Sequence, residues 1–126
     1  MPLVMDPPGN INVVRSYGAD HVRVGEHTYR RCCVLSPEAV LSDWPPDSFD
    51  RIGDADWPRV LALRPQVILI GAAVPPRAPA PLRRWLAEQN IGLEVMELGA
   101  ACRTYNVLAQ EGRRVVAVLF PAPLAG

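Results

Sequence analysis

The chain has 126 residues, of which 49% are hydrophobic, enough to build the core of a single domain spanning 1–126. Thirteen basic and thirteen acidic residues balance, so the positive surface of a nucleic-acid-binding protein is missing and no nucleic-acid partner is predicted. Every basic residue is arginine, which excludes enzymes that depend on a lysine Schiff base or a P-loop lysine. The proline-rich ends, 1–9 and 121–126, are expected to be loose tails.

The cysteines and histidines indicate neither a disulfide scaffold nor a metal site. Cys32, Cys33 and Cys102 are odd in number and contain no CxxC pair. His21 and His27 lie six positions apart, a poor spacing for two metal ligands, so we predict no metal and no other cofactor.

No apolar run is long enough to span a membrane, and the N-terminus does not resemble a signal peptide. We therefore expect a cytoplasmic protein.

Three segments in the first half of the chain have the short lengths and tight turns of an antiparallel β-meander. They are Ile11–Tyr17, His21–Val24 and His27–Leu35. Glu38–Leu41 is a candidate for one more short strand. The segment that follows it contains Trp44 between an aspartate and two prolines, so we predict irregular structure there. We favour a tryptophan that anchors this loop on the core over one exposed to a partner.

The second half alternates between helical and strand-like patterns. The apolar run before Gly71, which we expect to close the strand, is typical of a strand covered on both faces. Helices between successive strands favour right-handed parallel crossovers, so the predicted fold class is α/β with a mixed central sheet and the meander on one side or edge. The predicted elements are helix Asp56–Leu63 with Asp56 as N-cap, strand Gln66–Ile70, helix Pro81–Asn90, strand Leu93–Met96, helix Gly99–Gln110 ending at Gly112, and strand Val115–Phe120.

A candidate anion site lies where the last helix begins. Gly71 and Gly99 both follow apolar strands, and ligands of parallel sheets bind at the carboxyl ends of the strands. Free N–H groups at the helix start and the guanidinium of Arg103 would favour a carboxylate or phosphate. The alternative, which we favour slightly, is an Arg103 side chain paired with Glu97 or Glu94. The candidate ligand-binding residues are Gly71, Glu97, Gly99, Ala100, Ala101, Arg103 and Asn106.

Cys102 is the candidate catalytic residue, because a helix N-terminus and a neighbouring arginine both lower the pKa of a thiol. A buried cysteine that only packs is the favoured alternative, since free cysteines are usually buried. Asn106 is a poor helix former in the middle of a helix, so its amide is expected to bond to a specific partner. That partner is either a neighbouring loop or a ligand.

The octapeptide Gly99–Asn106, Gly-Ala-Ala-Cys-Arg-Thr-Tyr-Asn, resembles a sequence shared by a family of small domains. This family includes mitochondrial complex I assembly factor three and the adipogenesis-associated domain protein. The strands Val67–Gly71 and Ile91–Met96 are similar to it as well, and the resemblance covers about Asn10 to Leu119. It implies a three-layer α/β domain with an added β-layer, and it implies no established enzymatic activity.

Two functional hypotheses follow from the residues and the resemblance together. The first is a non-enzymatic protein-binding or assembly module with a protein partner, since the mitochondrial branch of the family acts through protein contacts. The alternative is a small-molecule anion binder or thiol-dependent enzyme that uses the helix N-terminus within Gly99–Asn106.

Overall fold

Two sheets and three α-helices make up the described part of the chain, residues 11–41, 43–44 and 46–122 of a computed structural model. A short 3-10 helix, Phe49–Arg51, precedes the first α-helix. The strands are β1 Val14–Gly18, β2 His21–Val24, β3 His27–Tyr29, β4 Cys33–Leu35, β5 Val40–Leu41, β6 Val67–Ala72, β7 Gly92–Glu97 and β8 Val115–Phe120. The α-helices are α1 Trp57–Leu61, α2 Ala80–Ala87 and α3 Leu98–Gln110.

The central sheet has five strands in the order β5-β4-β8-β6-β7. Strand β6 pairs in parallel with β7 and β8, whereas β4 is antiparallel to β8 and to β5. All six residues of β8 are buried, as expected for an apolar strand covered on both faces. The mixed central sheet predicted from the sequence is therefore confirmed.

Helices cover the two faces of this sheet because its two crossovers run in opposite directions. The chain passes from β6 through α2 to β7 on one side of β6, then through α3 to β8 on the other, so right-handed connections place α2 and α3 on opposite faces. Buried side chains form one cluster on each face. Tyr105 and Leu69 belong to the cluster under α3, and Trp57, Ile68 and Leu86 to the cluster under α1 and α2.

The first three strands form a separate antiparallel sheet, β1-β2-β3, which we call the small sheet. Val14, Val22 and Val24 from the small sheet join the cluster that contains Cys102 and Tyr105 of α3. Helix α3 therefore lies between the central sheet and the small sheet. This arrangement confirms the predicted three-layer α/β fold with its added β-layer.

The predicted strand His27–Leu35 is wrong as one element, because it forms β3 of the small sheet and β4 of the central sheet. Arg30 and Arg31 separate the two strands and are exposed. Cys32 packs in the cluster under α1 and α2, and Cys33 packs in the cluster under α3. The two adjacent cysteines thus lie on opposite faces of the central sheet.

Three other local predictions are corrected. Gly71 does not close its strand, since it pairs with Met96 and Leu119 inside β6. Asp56 occupies the N-cap position of α1 as predicted, but its side chain does not cap the helix, because its carboxylate accepts a hydrogen bond from the N–H of Gly53 at 2.9 Å. Helix α2 ends at Ala87 instead of Asn90.

The predicted tails 1–9 and 121–126 fall largely outside the described residues. Two of these residues are described, and both are anchored instead of loose. Pro121 is buried, and the N–H of Ala122 donates to the carbonyl of Ala19 at 2.8 Å. Trp44 is also buried, as the loop-anchor interpretation predicts.

Candidate functional site

Helix α3 begins at the carboxyl end of β7, where the side chain of Glu97 caps it. The Glu97 carboxylate accepts hydrogen bonds from the N–H groups of Gly99 at 2.9 Å and Ala100 at 3.2 Å. These two bonds hold the pKa of Glu97 below its ordinary value, and the positive charge of Arg103 adds to the effect. An external anion at this helix end would have to compete with the carboxylate for the same N–H groups.

This cap makes a pH-dependent prediction for Glu97→Gln. Because the pKa is lower in the folded chain than its ordinary 4.5, the carboxylate stabilises the fold above that pH, and this contribution disappears as pH falls through the folded-state pKa. The variant should therefore melt below the wild type at neutral pH, with the gap closing in acid. Melting curves from pH 7 downward measure it, with exposed Glu94→Gln as control. A gap independent of pH would contradict the role of the charge.

Arg103 connects α3 to the small sheet. Its Nη1 donates a hydrogen bond to the hydroxyl of Tyr17 on β1, and its guanidinium carbon lies 6.0 Å from the centroid of that ring. Among the described residues, Arg103 forms no ion pair with Glu97 or Glu94. The pairing with one of these carboxylates that the sequence favoured is therefore wrong. Gly99 allows the ring to approach, because a Cβ there would lie 2.8 Å from Tyr17 Cε1.

Gly71 of β6 and Ala101 of α3 face each other where the helix packs on the strand, and both are buried. A Cβ on Gly71 would lie 2.6 Å from the Cβ of Ala101 and 3.1 Å from Leu119 Cδ2. Glycine at this position therefore lets α3 pack closely on β6. Both candidates are buried at this contact, so neither presents a surface to an external ligand.

Asn106 binds the backbone of the small sheet with both ends of its amide. Its Oδ1 accepts from the N–H of Val14 at 2.8 Å, and its Nδ2 donates to the carbonyl of Val14 at 2.8 Å. The side chain thus satisfies both backbone groups of a residue at which the pairing of β1 with β2 has a register shift. The sequence left two partners open for this amide, a neighbouring loop or a ligand. In the structure, the partner is the protein backbone at Val14.

Tyr105 is the third side chain of α3, after Arg103 and Asn106, that binds the chain in or next to β1. Its ring is fully buried, and its hydroxyl donates to the carbonyl of Asn12 at 2.7 Å. The Asn12 amide in turn donates to the carbonyl of Ser36 at 3.0 Å, in the turn after β4. Tyr105 therefore binds the segment just before β1, and Asn106 binds the first residue of β1. Sequence reasoning missed Tyr17, Asn12 and Val14 as partners, because no local pattern marks them.

Cys102 is fully buried between α3 and the central sheet. Burial raises the pKa of its thiol to about 12, and the negative charge of Glu97 adds to the rise. This direction is opposite to the lowering expected beside a helix N-terminus. Burial also raises the pKa of Cys33 to about 12.

The burial of Cys102 predicts slow alkylation of the folded chain. With a pKa of about 12, roughly one thiol in ten thousand is ionised at pH 8, and the sulfur is inaccessible. Iodoacetamide at pH 8, followed by peptide mass spectrometry, should label Cys102 only after denaturant is added. Labelling of the native chain within minutes at Cys102 alone would instead support the thiol-dependent hypothesis.

A shallow groove of about 270 Å³ remains at the carboxyl end of the sheet, between the β1–β2 turn and the start of α3. Of the predicted site residues, Glu97 and Gly99 line it.

The described residues contain no cluster of three or more potential metal ligands. Within the same residues, no helix has the length and apolar character needed to cross a membrane.

A second, apolar groove lies on the opposite face, between α1 and α2, with a volume of about 480 Å³. Trp85 is 42% exposed here, whereas Trp57 is buried. In the sequence, Leu82, Trp85 and Leu86 have the spacing of one apolar helix face, which predicts that all three pack in the core. Of these three residues, Leu86 alone is fully buried. We call this surface the α1–α2 groove; it is lined by Asp54, Trp57, Pro58, Pro81, Leu82 and Trp85.

A family model described as "Protein of unknown function (DUF498/DUF598)" matches residues 14–120. The chain belongs to the DUF498/DUF598 family. The match spans the small sheet, the central sheet and all three helices, and it includes the octapeptide. The family resemblance seen in the sequence is therefore confirmed.

Curated relatives include an assembly factor. The chain is 30% identical over 114 residues to NADH dehydrogenase (ubiquinone) 1 alpha subcomplex assembly factor 3 of Danio rerio, covering 88% of this chain and 65% of that protein. It is 31% identical over 111 residues to an uncharacterised protein of Rhodobacter capsulatus, covering 87% and 85% of the two chains. The chain thus spans less than two thirds of the length of the zebrafish assembly factor.

Two solved structures of bacterial proteins have the same fold as this chain. The NMR structure of Xanthomonas campestris XCC1710 has a TM-score of 0.83 at 34% identity, covering 100% of this chain and 96% of that one. A crystal structure from Bordetella parapertussis has a TM-score of 0.81 at 32% identity, covering 92% and 100%. The DUF498/DUF598 chain therefore shares its whole architecture with these bacterial proteins.

Proposed function

We propose that this DUF498/DUF598 chain is a non-enzymatic protein-binding module that assists assembly of a multisubunit complex. The observation that carries the proposal is the internal use of the octapeptide. Arg103, Tyr105 and Asn106 each form hydrogen bonds within the fold, Gly99 and Ala100 bind the capping carboxylate of Glu97, and Cys102 is buried. The residues that most suggest chemistry thus contribute to folding, which favours a function at a surface.

The α1–α2 groove is the surface that we assign to the partner. It combines an exposed tryptophan with a half-buried leucine and two prolines, and aromatic side chains of this kind are enriched at the centres of protein interfaces. We assign the occupant as an apolar segment of an NADH dehydrogenase subunit, because the zebrafish relative is named as an assembly factor for that complex.

Deletion of the gene in its own host tests the assembly role. Assembled NADH dehydrogenase, measured on native gels and by NADH oxidation in membranes, should fall without the chain and return with the wild-type gene. Trp85→Ser should fail to restore it at equal protein level. Val107→Ser is the matched control, since Val107 is 54% exposed on α3 and lies outside the groove.

Two results would contradict these assignments separately. Normal amounts of the complex in the deletion strain would rule out the assembly role. Full restoration by Trp85→Ser would keep that role but exclude the α1–α2 groove as the contact surface.

A further inference from the structure

A third cleft, of about 480 Å³, opens at the end of the central sheet where β6 and β8 begin, opposite the start of α3. It lies between the turn after β4, the end of α1 and the turn from α3 to β8. Apolar side chains that are buried or half-buried line its interior, among them Leu63, Ala109 and Val115. The cleft therefore offers an apolar surface sheltered from water.

Three exposed arginines line the same cleft: Arg64, Arg113 and Arg114. Within the described ranges, none of their side chains forms an ion pair or donates a hydrogen bond to another residue. Of the lining residues in the part of the chain that the structure describes, Glu38 is the one with a carboxylate. In a chain with no net charge, this cleft therefore concentrates positive charge that has no ion-pair partner among residues 11–41, 43–44 and 46–122.

The backbone that carries these arginines is tied together. The N–H of Gln66 donates to the carbonyl of Arg114 at 2.7 Å, and the N–H of Arg114 donates to Gln66 Oε1 at 3.0 Å. The N–H of Arg113 donates to the carbonyl of Leu108 at 3.0 Å, at the end of α3. These bonds hold the backbone of Arg113 and Arg114 in place beside Gln66, two residues after Arg64, so the three side chains start from fixed points around one cleft.

Arg64 adopts a conformation that is unfavourable for its residue type. Its φ is 57°, in the left-handed region that glycine occupies most easily, and Pro65 follows it. Helices commonly end with glycine in this conformation. The backbone is therefore strained at Arg64, where glycine would be more stable. Strained residues of this kind cluster at ligand-binding sites, which supports a binding role for the guanidinium.

We propose that this arginine-lined cleft binds a small organic dianion, a phosphate ester or a dicarboxylate carried on an apolar body. Guanidinium groups bind such anions through paired, charge-assisted hydrogen bonds. The apolar interior accommodates the body of the ligand, and the volume suits a small organic molecule. The proposal does not depend on the assembly role, since the cleft and the α1–α2 groove share no residues.

Phenyl phosphate and phthalate are the probes that test the site. Each is titrated into the isotopically labelled chain, and two-dimensional NMR follows the chemical shifts of the backbone amides. Phenol and inorganic phosphate serve as probes with only the apolar or only the charged part. We expect saturable shifts at the amides of 112–115 with at least one of the two complete probes, and weaker binding of both partial probes. Arg113→Gln/Arg114→Gln should weaken binding roughly tenfold or more.

Two variants keep the result interpretable. Arg64→Gly removes a guanidinium but relieves the strained backbone, so it should weaken binding without lowering the melting midpoint. Arg77→Gln/Arg84→Gln removes the same charge as the double variant from exposed positions elsewhere and should bind like the wild type. Equal weakening by this control, or shifts scattered over all exposed arginines, would overturn the site. Absence of saturable shifts with both complete probes would overturn it as well.

Discussion

Gly71→Ala is expected to destabilise the fold by about 2 kcal/mol, although it adds one methyl group. The new Cβ would lie 2.6 Å from the Cβ of Ala101 and 3.4 Å from the backbone Cα of Leu98. Neither atom is the end of a flexible side chain, so α3 itself must move away from β6. Thermal melting should show a midpoint lower by about 5–10 °C.

The matched control for this effect is Gly53→Ala, whose nearest contact would be Asp56 Oδ2 at 3.7 Å. Its midpoint should stay near that of the wild type. The double variant Gly71→Ala/Ala101→Gly removes the opposing methyl group and should be more stable than the sum of the two single changes predicts. Strict additivity would mean that the close packing of the helix on the strand is not the cause.

Asn106→Ala should destabilise the fold by about 3 kcal/mol, the largest effect we expect from one polar side chain. The change leaves the N–H and the carbonyl of Val14 without partners, and Val14 is 5% exposed. An unpaired buried polar group costs about 1–3 kcal/mol. Urea denaturation gives the free energy of unfolding directly, and the midpoint should fall with little change in its slope.

Val107→Ala is the neighbouring control, because Val107 is 54% exposed on the same helix and should change stability little. A loss from Asn106→Ala no larger than that of Val107→Ala would contradict the two hydrogen bonds to Val14. Restoration of the wild-type midpoint by a small anion would instead return Asn106 to the set of ligand-binding residues.

Much of the fold could be predicted because its signals are local. The apolar run of β8 and the glycine after α3 are visible within a few residues, and β2 and β8 have their predicted ends. The split between β3 and β4 was not predictable, because the alternating pattern continues through it. Which sheet a residue joins depends on pairing such as that of Cys33 with Leu119, far away in the chain.

The octapeptide could be recognised as unusual, but its roles could not be derived from it. Arg103 meets Tyr17 across 86 positions, and Asn106 meets Val14 across 92. A guanidinium in the first turns of a helix, or an amide in its middle, fits a ligand and a distant strand equally well. Burial decides the case of Cys102, and burial of a helix face against the central sheet is a long-range property.

The central claim is that the octapeptide attaches the small sheet to α3, and native-state hydrogen exchange tests it most directly. In Asn106→Ala, the amides of β1 and β2 should lose protection selectively, while those of β6 and β8 keep most of theirs. Unchanged exchange at the amide of Val14, or an equal loss of protection in both sheets, would contradict the claim.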